Sequence, residues 1–109
     1  MGERVSGAVD VVDLGAGKIQ VRGALTCATA RRARAAASRL LAARGGPALE
    51  VDLSAVTASD SAGLAVLLDW LALAHRQGRA IHFTNLPAPI RAVAHISEVE
   101  SLLSRGAAT

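Results

Sequence analysis

The sequence predicts an α/β fold, a mixed sheet of four to five strands with about four helices packed on it. Three observations carry that expectation. Two alternating segments near the start flank the glycine turn Gly15-Ala16-Gly17. A long stretch of strong helix formers follows them, free of Pro and Gly. From residue 48 onward strand-like and helix-like patterns alternate. The strand–helix–strand units over residues 49–86 require right-handed crossovers and parallel neighbours, whereas the initial hairpin is antiparallel, so the sheet is mixed.

Residues 8–14 and 18–25 show period-2 alternation, with Ile19, Val21 and Gly23 on one side and Lys18, Gln20 and Arg22 on the other. The glycines between them read as a hairpin turn. A phosphate loop would need four residues between its glycines, a Ser or Thr after the Lys, and a helix next; here a strand follows Lys18. Residues 26–44 are rich in Ala, Leu and Arg, with Thr26 placed as N-cap and Gly45-Gly46-Pro47 as the stop. Ala30, Ala33, Ala37, Leu40 and Leu41 fall on the sheet-facing side. Arg31, Arg32 and Arg39 lie opposite, and Arg34 and Arg44 flank the seam. Such a face is a solvated surface or a contact for acidic headgroups or a partner.

Residues 48–53 form the third strand, and a turn at Ser59–Gly63 leads into a helix from Ser61 to Gln77 that Gly78 ends. Residues 80–86 are the fourth strand, broken by Pro87 and Pro89. Short helices over 90–96 and 97–103 close the chain, and residues 105–109 are expected to fray. At 109 residues the chain suits one domain, residues 1–109 with a core over 8–104.

Apolar residues make up 51% of the chain, yet it holds one Trp, one Phe and no Tyr, so the core is aliphatic. No apolar run has the ~18–20 residues of a membrane span. Glu3, Arg4, Asp10 and Asp13 do not fit a secretory leader. The single Cys27 has no internal disulfide partner, which suits a reducing compartment. A net charge of +3 with few aromatics argues against nucleic acid as the partner.

Chemistry is sparse. His75, His82 and His95 sit on separate elements without metal-ligand spacing, and His75 reads as a partly buried helix-terminal residue. Asp52 ends a strand and Asp60 begins a helix, but no base or metal partner completes a reaction centre with them. Ser61 lacks the His base a nucleophile requires. The expectation is no catalytic residue, no metal and no cofactor.

Recognition is better supplied. Ser59 or Asp60 suits the N-cap of the helix, which places Ser61 in its first turn, where negative charge is tolerated. A phosphate on Ser61 would add about −1.5 to −2 charges beside Asp60 without melting the helix; alternatively Ser61 only assists the cap. Gly63 permits a close backbone approach or a tight turn. Leu64, Leu67, Leu68 and Leu71 form one apolar face of this helix. Ala62, Val66, Trp70 and Leu73 form a second, interrupted by Asp69. The second face is expected to be an exposed docking strip anchored by Trp70.

The strand ending Val51-Asp52-Leu53-Ser54, then Val56 and the turn Asp60-Ser61-Ala62-Gly63-Leu64, resembles the STAS (sulfate transporter and anti-sigma factor antagonist) domain family. Its pattern at the turn is Asp-Ser/Thr-x-Gly-Leu/Val, and the likeness runs from the first hairpin to the last helix. Ser61-Ala62-Gly63-Leu64, Leu67-Leu68-Asp69-Trp70, Asn85-Leu86-Pro87 and the segment 90–103 look most like the stand-alone STAS subunit of Mla-type phospholipid-transport ABC systems. That resemblance implies a STAS-like single domain without catalysis. It implies a cytoplasmic subunit, peripheral to the inner membrane, bound to the ABC transporter ATPase. The alternative it implies is an anti-sigma factor antagonist whose kinase partner phosphorylates the serine at Ser61. The expected partner-binding residues are Ser59, Asp60, Ser61, Ala62, Gly63, Val66, Asp69, Trp70 and Leu73, and the isolated domain is a possible homodimer.

Overall fold

The structure is a computed structural model that describes residues 9–43 and 48–96. In chain order the elements are β1 (Val9–Gly15), β2 (Lys18–Leu25), α1 (Ala30–Ala43), β3 (Ala48–Ser59), α2 (Ser61–Arg76), β4 (Ala80–Thr84) and α3 (Ala88–Ile96). The strands form one sheet in the order β1-β2-β3-β4. β1 pairs with β2 antiparallel, while β2–β3 and β3–β4 are parallel. This is the mixed sheet read from the sequence; the helix expected over 97–103 lies outside the described residues.

The hairpin turn closes at Ala16-Gly17, both at positive φ (54° and 79°). That geometry matches the right-handed twist of the strands it joins. Because β2, β3 and β4 lie side by side in one direction, right-handed crossovers put α1 and α2 on the same face of the sheet. Ile19, Val21, Val51, Leu53, Ile81 and Phe83 are buried under them. Lys18, Arg22, Ser54 and His82 point to the other face and are exposed.

α2 is the middle of the helix layer, packed against both α1 and α3 as well as β4. It therefore buries three sides. Gly63, Leu64, Val66, Leu67, Trp70, Leu71 and Ala74 are all buried. Trp70 stacks on Phe83 with ring centroids 6.4 Å apart. Arg79, itself buried, donates from Nη1 to the Leu41 carbonyl at 2.7 Å and so satisfies the C-terminal end of α1.

Several boundaries differ from the sequence expectation, each for a local reason. β3 runs six residues past Leu53, since Arg22 to Leu25 pair with Ala55 to Ser59, with one register shift before Arg22 and one between Gly23 and Ala24. The turn before α2 thus shrinks to Asp60. α1 starts at Ala30 and not near Thr26. Residues 26–29 form a turn in which Thr29 Oγ1 accepts from the Thr26 N–H and donates to the Ala24 carbonyl. β4 stops at Thr84 because Asn85 turns to φ 58°. α3 begins two residues early, with Pro89 in the first turn, where its missing N–H is tolerated.

Candidate functional site

The two crossover helices begin at one edge of the sheet, beyond the carboxyl ends of β2 and β3. Asp60 organises this edge. Its extended backbone (φ −147°) makes it the N-cap of α2, and Oδ1 accepts from the Ala62 and Gly63 N–H groups at 2.9 and 3.2 Å. Oδ2 accepts from the Cys27 N–H at 3.2 Å, which ties the β2–α1 turn to the start of α2. The cap is thus Asp60 and not Ser59, which ends β3 half-buried.

Ser61 is exposed at the first helical position. Gly63, by contrast, is wedged. A Cβ there would lie 2.5 Å from the Leu25 carbonyl oxygen and 3.1 Å from Ile90 Cδ1. Of the two sequence readings of Gly63 the structure selects close approach: the end of β2 and α3 both press on this turn of α2.

The exposed apolar strip expected on α2 is not there. Val66 and Trp70 are 1% and 2% exposed. Stepping along the sequence assumed a helix with one buried face, whereas α2 has neighbours on both flanks. Trp70 is a core residue, packed among Ile19, Ala37, Leu41, Val51 and Ile81. Neither side chain is available to a partner. Ala62 and Leu73 are half-buried. The face α2 shows to solvent is Ser61, Ala65, Asp69, Ala72 and Arg76, with Leu68 half-buried beside it. Asp69 accepts an ion pair from Arg34 of α1 at 3.0 Å, with both side chains more than half exposed. Sequence reasoning missed Ala65 and Ala72; the small or polar residue at every third or fourth step from Ser61 was the available signal.

The carboxylates and histidines do not converge. Asp52 lies eight residues before Asp60, roughly 25 Å along extended chain. Its side chain is on the open face of the sheet, accepting from Asn85 Nδ2 (3.0 Å), the Ser54 N–H and Oγ (2.9 Å each) and Gln20 Nε2 (3.2 Å). The Asn85 amide, then the Ser54 N–H, hold its pKa down to about 2 against a modest desolvation. An acceptor so fully engaged is a structural acid. His82 is exposed on that open face, His95 on α3, and His75 is exposed near the end of α2, not partly buried. Among the described residues no group of three or more His, Cys, Asp or Glu is placed to hold a metal ion.

A family model described as Mlab, STAS domain, matches residues 10–104. No curated protein sequence matches the chain. Among solved structures, an anti-sigma factor antagonist from Mycobacterium paratuberculosis is similar at TM-score 0.67 and 24% identity, over 86% of this chain and 80% of that one. The anti-sigma factor antagonist SpoIIAA in its unphosphorylated form is similar at TM-score 0.62 and 15% identity, over 82% and 83%. A sulfate transporter family protein from Wolinella succinogenes is similar at TM-score 0.63 and 14% identity, over 87% and 76%. These likenesses are of fold.

Proposed function

The chain belongs to the STAS domain family, and from that premise we propose that it is a non-catalytic binding subunit. In this reading it docks on the ATPase of an inner-membrane ABC phospholipid transporter of the Mla type and supports assembly and activity in outer-membrane lipid asymmetry. The observation that carries the proposal is the outward ridge of α2. It runs from exposed Ser61 through Ala65 and Ala72, on a helix whose other three sides are locked into the core. Small side chains on a rigid, well-supported helix let a partner helix or loop approach closely. The MlaB-type description of the matching family model favours an ATPase as that partner. The contact set is Ser59, Asp60, Ser61 and Ala62 at the rim, then Ala65, Leu68, Asp69, Ala72 and Leu73. Gly63, Val66 and Trp70 support it from beneath.

Co-expression with the ATPase of an Mla-type transporter tests the reading. Ala65→Arg with Ala72→Arg is expected to abolish co-purification while the isolated chain stays folded. Unchanged recovery of the ATPase would exclude this surface.

A second reading, an anti-sigma factor antagonist switched by phosphorylation, is favoured by the exposure of the Ser61 hydroxyl at the first helical position, where added negative charge is tolerated. It predicts that a kinase-type partner with ATP raises the intact mass by one phosphate, which Ser61→Ala prevents. Ser61→Asp then releases the partner. A mass that never shifts counts against it.

A further inference from the structure

We propose that the outward face of α1 is a contact for anionic membrane lipid, separate from the α2 ridge. α1 carries Arg31, Arg32, Arg34 and Arg39 and no acidic residue. Arg34 is engaged with Asp69. Arg31, Arg32 and Arg39 are exposed and make no ion pair among the described residues. At ~100° per residue they occupy about 100° of arc on the helix surface. Ala35 and Ala42 lie within that arc and are also exposed, as is Ala28 in the turn before the helix. At the start of the helix Arg31, Arg32 and Arg34 surround an open concavity of about 510 Å³ floored by Cys27, Ala28 and Ala30. Among the described residues only the small Cys27, Ala28 and Ala30 line the space beside these arginines. α1 is also the outer member of the helix layer, packed on α2 and β1.

The chemistry of this face selects its occupant. The α2 ridge carries one charge of each sign, Asp69 and Arg76, whereas this face presents Arg31, Arg32 and Arg39 with no acidic residue on the helix, so its partner must supply a surface of negative charge. Single-stranded nucleic acid is held by stacking on aromatic rings, and α1 has none. A bilayer of acidic phospholipid asks for less. It presents phosphates in a plane, guanidinium groups bind phosphate through paired N–H donors, and charge alone drives adsorption. Each arginine held at the surface raises the partition coefficient about fivefold. Three give a weak, salt-sensitive association suited to a chain that reaches the membrane with a partner. The proposal does not depend on which protein the α2 ridge binds.

Co-sedimentation of the purified full chain with phosphatidylglycerol-containing vesicles tests it, with pure phosphatidylcholine vesicles as the reference. The expected result is pelleting with the acidic vesicles at low salt, none with the neutral ones, and loss of pelleting as salt is raised. Replacing Arg31, Arg32 and Arg39 together by Glu is expected to lower the partition coefficient on the order of 100-fold or more. Arg31→Gln, Arg32→Gln and Arg39→Gln together make a milder set, used if the reversed charges unfold the chain. Lys18→Glu, Arg22→Glu and Arg91→Glu make the same change in net charge away from α1, and this variant is expected to retain most of the binding. Equal pelleting with neutral lipid, no binding at low salt, or equal losses in the two charge-reversal sets would each overturn the proposal. So would indifference to vesicles combined with binding of poly-glutamate through the same arginines, which would assign the face to an acidic protein.

Discussion

Asp60 and Gly63 do different work within one turn of helix. Asp60 gathers three backbone N–H groups, two from its own helix and one from Cys27. Gly63 is the point where β2 and α3 press on α2 without room for a methyl group. Gly63→Ala gains roughly 1 kcal/mol of helix propensity, but the obstructing atom is a backbone carbonyl that cannot rotate away. The expected net effect is a loss of about 1–3 kcal/mol, read as a lower urea midpoint at unchanged slope. Asp52 gives a pH signature. Its folded pKa, about 2, lies below the ordinary 3.8, so its contribution is fully present above that ordinary value and is lost as pH falls toward 2. Asp52→Asn should therefore flatten the fall of melting temperature across that acid window. A variant with the same acid slope as the parent would show that the hydrogen bonds to Asp52 do not favour its ionised form.

At the scale of the element, α2 explains why its composition misled. A helix at the edge of a layer needs one apolar stripe, but a helix in the middle needs apolar residues on its flanks as well. Trp70 belongs to that second set and fills the space over Ile19, Val51 and Ile81. Trp70→Ala is expected to cost about 3–5 kcal/mol of folding stability, seen in a denaturant titration of the isolated chain. A near-normal midpoint would return Trp70 to the surface. The β1–β2 hairpin offers the converse case, since Ala16 occupies a left-handed conformation (φ 54°) that costs a side chain about 1–2 kcal/mol. Ala16→Gly or Ala16→Asn should raise the melting temperature by a few degrees.

Across the whole molecule the two faces differ in kind. The sheet's open side is polar, with Gln20, Arg22, Asp52 and Asn85 in one hydrogen-bonded chain. The helix side carries the α2 ridge and the arginines of α1. Substitutions on the ridge should separate binding from stability. Ala65→Arg is expected to change folding free energy by no more than about 0.5 kcal/mol while it prevents binding of the partner proposed for the ridge. A large loss of stability would mean that Ala65 is not at the surface in solution.

The alternation of Ile19 to Arg22, the hairpin glycines, the run of helix formers after them and the strand–helix alternation from residue 48 were together enough to predict the mixed sheet and its element order, because local periodicity reports which side of an element is dry. The cap was legible as a choice between Ser59 and Asp60 because capping is short-range, whereas the close approach at Gly63 was not settled, since the atoms that press on it belong to the distant Leu25 and Ile90. Exposure was not legible. Whether Val66 and Trp70 meet solvent or core depends on how many neighbours α2 has, and that number follows from the strand order and the handedness of two crossovers. The division of the apolar surface of α2 between core and partner is therefore a property of the assembled helix layer. The sequence by itself determined the turn at Asp60 and Ser61; only the tertiary structure decided that the surface behind it is a ridge of alanines over a buried Trp70.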